Sequence, residues 1–124
     1  MVDRKINMEY RDLDIWKFSR ELVNSVYELT KSFPKEELYG LTNQIRRYTI
    51  SIPSNIAQGC GRRTSKDTIQ FLYVSGGSLY ELETQLFLAM DQNFISKIQL
   101  NEIIHQIESG KRLLNGFINY YKKL

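Results

Sequence analysis

Apolar residues recur along the chain at spacings of three and four, in four blocks separated by short polar breaks. Ile15, Phe18, Leu22, Val26, Leu29 and Phe33 form one stripe, and Leu38, Leu41, Ile45, Tyr48, Ile52 and Ile56 a second. Ile69, Leu72, Gly76, Leu79, Glu83, Leu86 and Met90 follow in a third, then Leu100, Ile104, Ile107, Lys111, Leu114, Ile118 and Tyr121 in a fourth. This is the period of a helix with one buried face, and no alternation by two persists as a half-buried strand requires.

The breaks carry the chemistry that stops and starts helices. Pro34 stands where a new helix tolerates it, with Glu36 and Glu37 in a first turn that favours negative charge. Gly59 and Gly61 end the second block, Thr64 to Asp67 can cap the third, and Ser96 with Gln99 has the spacing of a capping box for the fourth. Short connections make long neighbouring helices antiparallel. The pattern predicts an all-α fold, an up-down-up-down antiparallel four-helix bundle over residues 12–124, preceded by a flexible tail over 1–11.

The faces opposite these stripes are not uniformly polar. On the second helix they hold Asn43, Arg46, Arg47, Ile50, Ser54 and Ala57, and on the third Val74, Gly77, Glu81 and Leu88. Ile50, Val74 and Leu88 are either scattered surface apolar residues or part of a subunit interface, and the wheel favours the interface. Ser75-Gly76-Gly77-Ser78, in mid-helix, costs roughly 1 kcal/mol per glycine relative to alanine and predicts close approach of a neighbouring helix. Pro53 removes a hydrogen bond to the carbonyl of Thr49, so a kink is expected in a helix whose stripe nevertheless continues to Ile56.

Composition narrows the class. In 124 residues, 17 Lys+Arg oppose 14 Asp+Glu for a net charge of +3. That is too mild a balance for polyanion binding unless the cations cluster. A single cysteine, Cys60, excludes an internal disulfide and fits a reducing, cytoplasmic setting. The polar start has no signal-peptide core, and no apolar run is long enough to span a membrane.

Catalytic constellations are missing. His105 is the sole histidine, which rules out a two-helix Glu-x-x-His di-metal site, and Cys60 could be activated by it only if the fold joins them. Glu81 and Glu83 fall on different faces of one helix. No cofactor or metal is expected. What remains is a basic cluster, Arg46, Arg47, Arg62, Arg63 and Lys66, with no acid between Leu38 and Lys66. Phosphate contact is one physical use of such cations. The alternatives are ion pairs from Arg46 and Arg47 to Glu81 or Glu83, and simple solvation of the turn residues.

Three linked segments, FPKEELYGLTNQIRR, SIPSNIAQG and GSLYELETQL, in this order and spacing, resemble the four-helix bundle proteins encoded in intervening sequences of bacterial large-subunit ribosomal RNA genes. The similarity runs from about Leu13 to the C-terminus. That family in turn resembles the accessory variability protein of diversity-generating retroelements, which assists a reverse transcriptase. The resemblance implies a ring-shaped homopentamer with a basic, nucleic-acid-binding surface. Where the family usually has glutamate, this chain has Gln58, so the local field is more positive. The expected function is non-enzymatic: an oligomeric bundle that binds RNA or DNA backbone. The alternative is a scaffold for an acidic or polymerase-like protein partner.

Overall fold

The computed structural model describes residues 9–124, and the flexible tail expected over residues 1–11 falls, for residues 1–8, outside the described residues. Residues 9–11 of that expected tail are part of the folded unit. Tyr10–Asp12 forms a 3-10 turn, and the Tyr10 ring meets Trp16 edge-on at 5.2 Å. Four helices follow: α1 Asp14–Thr30, α2 Leu41–Cys60, α3 Ser65–Asp91 and α4 Lys97–Lys122. They touch in the cyclic order α1–α2–α3–α4–α1, the closed arrangement of a four-helix bundle.

The stripes predict most of the core, although Cys60, Leu82, Ala89, Ile95 and Ile103 are buried outside them and Leu38 and Ile104, which lie on them, are not. Ile15, Leu22, Val26, Ile45, Ile52, Ile56, Leu72, Leu79, Leu86, Leu100, Ile107, Leu114, Ile118 and Tyr121 are all buried. Each aliphatic side chain withdrawn in this way contributes about 1.5–3 kcal/mol, which compensates for the modest intrinsic stability of isolated helices.

Two of the three breaks follow the predicted chemistry, and each adds a detail. Ser96 Oγ accepts from the Gln99 N–H at 3.1 Å while Gln99 Oε1 accepts from the Ser96 N–H at 2.9 Å, a complete capping box for α4. Thr64 caps α3 by accepting from the Asp67 N–H. After α3, Asn93 takes a left-handed φ of 64°, which asparagine tolerates, and Phe94 donates back to the Ala89 carbonyl. That turn delivers the Phe94 ring to Phe33 at 5.4 Å.

The remaining break differs from expectation. Lys35–Glu37 is a separate 3-10 turn and α2 begins only at Leu41, so Leu38 falls outside the helix and is half exposed. Glu37 does not lie in the first turn of α2. Its carboxylate reaches over Gly40 to accept from the Leu41 N–H at 2.9 Å, supplying the cap from outside. A Cβ on Gly40 would lie 2.8 Å from that same carboxylate oxygen.

The α2–α3 seam is the most extensive in the molecule, and serines hold it together rather than the glycines between them. Ser75 Oγ donates to the Ile52 carbonyl at 3.0 Å, and Ser78 Oγ and Ser51 Oγ share a 2.9 Å hydrogen bond. A Cβ on Gly77 would meet nothing within 4 Å, and on Gly76 only an ordinary contact with Leu114. Close backbone approach occurs instead at Gly59, which lies inside the last turn of α2. A Cβ there would stand 3.0 Å from the Phe71 Cβ and 3.2 Å from the Thr68 carbonyl oxygen. The helix stops two residues later at Gly61. Pro53 lies within α2, whose helical span runs through it to Cys60.

Candidate nucleic-acid interface at one end of the bundle

The up-down order brings the start of α1, the α2–α3 corner and the end of α4 to one end. Contacts between these segments establish it. Thr68 Oγ1 donates to the Gly59 carbonyl at 2.7 Å, and Lys122 Nζ lies 5.6 Å from the centre of the Tyr73 ring. The 3-10 turn before α1 packs against α2. Buried Tyr121 of α4 lies close enough to Cys60 to sense its charge, and burial first, then Cys60 and Tyr120, push the Tyr121 hydroxyl up to about 12.

This topology separates charge along the bundle. The half at this end, residues 9–21, 51–78 and 110–124, carries 10 Lys+Arg against 5 Asp+Glu. The other half, residues 22–50 and 79–109, carries 5 against 8. A chain of net charge +3 thus presents one basic end and one acidic end.

The five candidate cations divide accordingly. Arg62, Arg63 and Lys66 are exposed at the α2–α3 corner and form no ion pair among the described residues. Arg62 is held in place by its guanidinium, stacked 4.3 Å from the centre of the Phe71 ring. Arg46 and Arg47 lie some 16 residues earlier on α2, about 24 Å along the helix, and do not join that group.

Nor do Arg46 and Arg47 make the ion pairs considered for them. Arg46 is half-buried against α1, where its Nε donates to Thr30 Oγ1 at 2.9 Å and its guanidinium lies 4.5 Å from the centre of the Tyr27 ring. Glu83 is engaged elsewhere, by Lys111 of α4. Arg47 is exposed and lines a pocket with Gln44, Tyr48, Ser51, Val74 and Ser78. Charge on a helical wheel cannot identify the partner. Glu83 faces α4, which the sequence of α2 gives no means of anticipating.

Lys122 and Lys123 of α4, and Lys17 and Arg20 of α1, share the basic end with the corner trio, and the linear cluster omitted them. The signal was available in the helix order: in an antiparallel bundle the last turn of α4 returns to the level of the α2–α3 corner. Arg11 at this end is different. Glu9 accepts from it at 2.8 Å, and this hydrogen bond holds the Glu9 carboxyl down to about 2.

Ile50, Val74 and Leu88 are exposed to 42, 52 and 48%, as the wheel predicted for residues outside the core. Tyr73, Tyr80 and Phe87 are also exposed on α3, but Tyr73 and Tyr80 turn towards α4, where their rings meet Lys122 and Lys111. Buried Cys60 and exposed His105 are not neighbours. Cys60 lies at the Tyr121 end of α4, and His105 lies about 24 Å away along that helix. Among the described residues no group of three His, Cys, Asp or Glu side chains could hold a metal ion, and no helix is long and apolar enough to cross a membrane.

A profile of the 23S rRNA-intervening sequence proteins matches residues 11–116, and the chain belongs to that family. Among solved structures, the chain is similar to a protein of unknown function from the S23 ribosomal protein family of Bacteroides thetaiotaomicron. The two share 24% identity and superpose with a TM-score of 0.78, over 85% of this chain and 95% of that one, a likeness of fold. Among curated proteins none matches.

Proposed function

We propose that this member of the 23S rRNA-intervening sequence protein family is a non-enzymatic, homo-oligomeric bundle that binds RNA or DNA backbone through its basic end. The observation that carries the reading is the axial separation of charge, 10 cations to 5 acids at one end against 5 to 8 at the other. Arg62, Arg63 and Lys66 are its unpaired, exposed cations at the corner, with Lys122 and Lys123 beside them. Arg46 takes a structural role in this reading, and Arg47 is peripheral.

Oligomerisation supports binding because one bundle end is a weak polyanion site. Side-by-side copies would repeat the basic end around one rim, raising the effective concentration of cations and the number of counterions released. The exposed apolar side of α2 and α3 is the surface for that assembly, and five copies is the number the family resemblance implies. The same apolar side would equally serve a protein partner, which keeps the scaffold reading as the second one. A cytoplasmic location fits both.

Nitrocellulose filter binding of single-stranded and duplex RNA and DNA, from low to physiological salt, tests the first reading. Binding should be weakly sequence-dependent and fall steeply with salt. Replacing Arg62, Arg63 and Lys66 together by alanine should weaken binding to all sequences and flatten the salt slope, with oligomer size unchanged. Wild-type protein that retains neither RNA nor DNA at low salt would put the scaffold reading first.

A further inference from the structure

At the basic end, an open groove lies between the start of α1 and the last turns of α4, on the opposite side of α4 from α3. It encloses about 450 Å³, within the range that holds small organic molecules. Its surface is mainly apolar, formed by Leu113, Phe117 and Tyr120 over the backbone of Gly116, with Arg112 and Asp14 at the rim. A Cβ on Gly116 would meet nothing within 4 Å, so the floor of the groove is open.

The aromatic rings in this groove are fixed in orientation. Phe117 and Tyr120 lie with their planes within 6° of parallel, their centres 6.3 Å apart. Both abut the ring of buried Tyr121 edge-on, at 5.0 and 5.4 Å. Tyr121 thus holds two flat faces at a common tilt, with Tyr120 and Leu113 each more than a third exposed to solvent. Directly after these rings come Lys122 and Lys123, and Lys122 leans towards Tyr73 of α3, so the positive field continues from the groove to the α2–α3 corner.

Resting on the nucleic-acid reading above, we infer that this groove seats an unstacked nucleobase of a single strand whose phosphates run over the basic end. A flat π-surface matches the parallel rings. The Arg112 guanidinium can donate to base acceptors, and the Asp14 carboxylate can accept from an exocyclic amine. A hydrophobic peptide would satisfy the apolar wall but not the surrounding excess of cations. A single strand satisfies both, and the basic end thereby prefers single-stranded to duplex nucleic acid.

The test compares two 12-nucleotide probes by fluorescence anisotropy with the full chain. One is a single strand carrying 2-aminopurine, and the other is the same sugar–phosphate backbone with abasic sites throughout. The base-bearing probe should bind about 5- to 150-fold more tightly per seated base, with 2-aminopurine fluorescence quenched by stacking. Gly116→Leu, which fills the groove, and Tyr120→Ala, which removes one ring, should each erase this preference and the quenching while leaving abasic binding and its salt slope intact. Gly116→Leu needs no core rearrangement and keeps the test valid if Tyr120→Ala fails to fold. Equal binding of both probes by the wild type overturns the base site but leaves the phosphate reading standing. Binding of neither probe overturns the phosphate reading and the base site with it. A preference that survives both substitutions, or a change of oligomer size in its place, assigns the groove another role and also overturns the proposal.

Discussion

Lys111 of α4 and Glu83 of α3 form a hydrogen-bonded ion pair that closes the α3–α4 seam, with neither side chain more than a quarter exposed. Glu108 accepts a second hydrogen bond from the same ammonium at 3.1 Å, and the Tyr80 ring covers it at 4.2 Å. Both residues lie on apolar stripes that the sequence marks as core, where a lone charge would be costly. Each is tolerated because the other is there.

Breaking the pair from one side should therefore cost more than a surface salt bridge and less than a fully buried one. Lys111→Met or Glu83→Gln should lower stability by about 1–3 kcal/mol. The double variant should recover part of that loss, since it leaves neither charge uncompensated. Urea denaturation of the four proteins in a double-mutant cycle measures both quantities.

Alkaline pH should weaken the fold. Burial opposes the Lys111 ammonium, but its hydrogen bonds to Glu83 and Glu108 outweigh this and raise its pKa, while burial raises that of Tyr121 to about 12. Both groups hold their protons more tightly folded than unfolded. Their contribution is complete below about pH 10, where the unfolded groups begin to titrate, and is lost as pH rises through the folded values. Glu9, lowered to about 2, acts in the opposite direction, contributing above the ordinary carboxylate range and losing that as pH falls. It is exposed, and its partner Arg11 lies in the same N-terminal turn. Thermal melts from pH 7 to 12 should decline above about pH 10, and Tyr121→Phe should flatten that decline.

Adjacent arginines should behave unequally. Arg46→Ala removes the hydrogen bond to Thr30 and the stack on Tyr27, a loss of about 1–2 kcal/mol. Arg47→Ala should stay within about 0.5 kcal/mol. Equal melting temperatures for the two variants would contradict the α1–α2 role assigned to Arg46.

Two glycines should respond in opposite senses to the same change. Gly59→Ala forces Phe71 or the Thr68 carbonyl to move and should destabilise by about 1–3 kcal/mol. Gly77→Ala adds a methyl to an open helix surface and should stabilise the subunit by up to about 1 kcal/mol. Light scattering of Gly77→Ala, beside Val74→Glu and Leu88→Glu, then reports on assembly. The two glutamates should dissociate an oligomer built on the exposed side of α2 and α3, whereas a wild-type monomer near 14.6 kDa would end that part of the proposal.

Periodicity made the four helices and most of the core legible, because burial imposes a repeat on each helix that local sequence must carry, but it missed buried Leu82, Ala89 and Ile103, which widen the buried face beyond a single stripe. The Ser96–Gln99 box was legible for the same reason: its partners are three residues apart. What local sequence does not carry is which helix face meets which neighbour. Glu83 paired with Lys111 rather than an arginine, and Thr30 received Arg46, because these partners are 28 and 16 residues apart. The glycine pair in α3 read as a close contact, yet the contact belongs to the flanking serines, a distinction of rotation about one helix axis. Of the candidate interface, the corner trio stood out in sequence, whereas Lys122 and Lys123 required the chain to be folded back first.

The unequal ends also give the bundle an electric axis. Net charge tells a distant polyanion only that the protein is slightly attractive, whereas separated charge exerts a torque. As a nucleic acid approaches to within a few Debye lengths, about 8 Å each at physiological salt, the basic end turns towards it and the acidic end away. On the proposed reading, collisions with a nucleic acid then arrive pre-oriented, and the fraction that succeeds rises without any change in the contacts finally made. Reversing charge at the far end, with acidic residues such as Glu36 and Glu102 changed to lysine, would make the protein more positive overall and yet less well aimed.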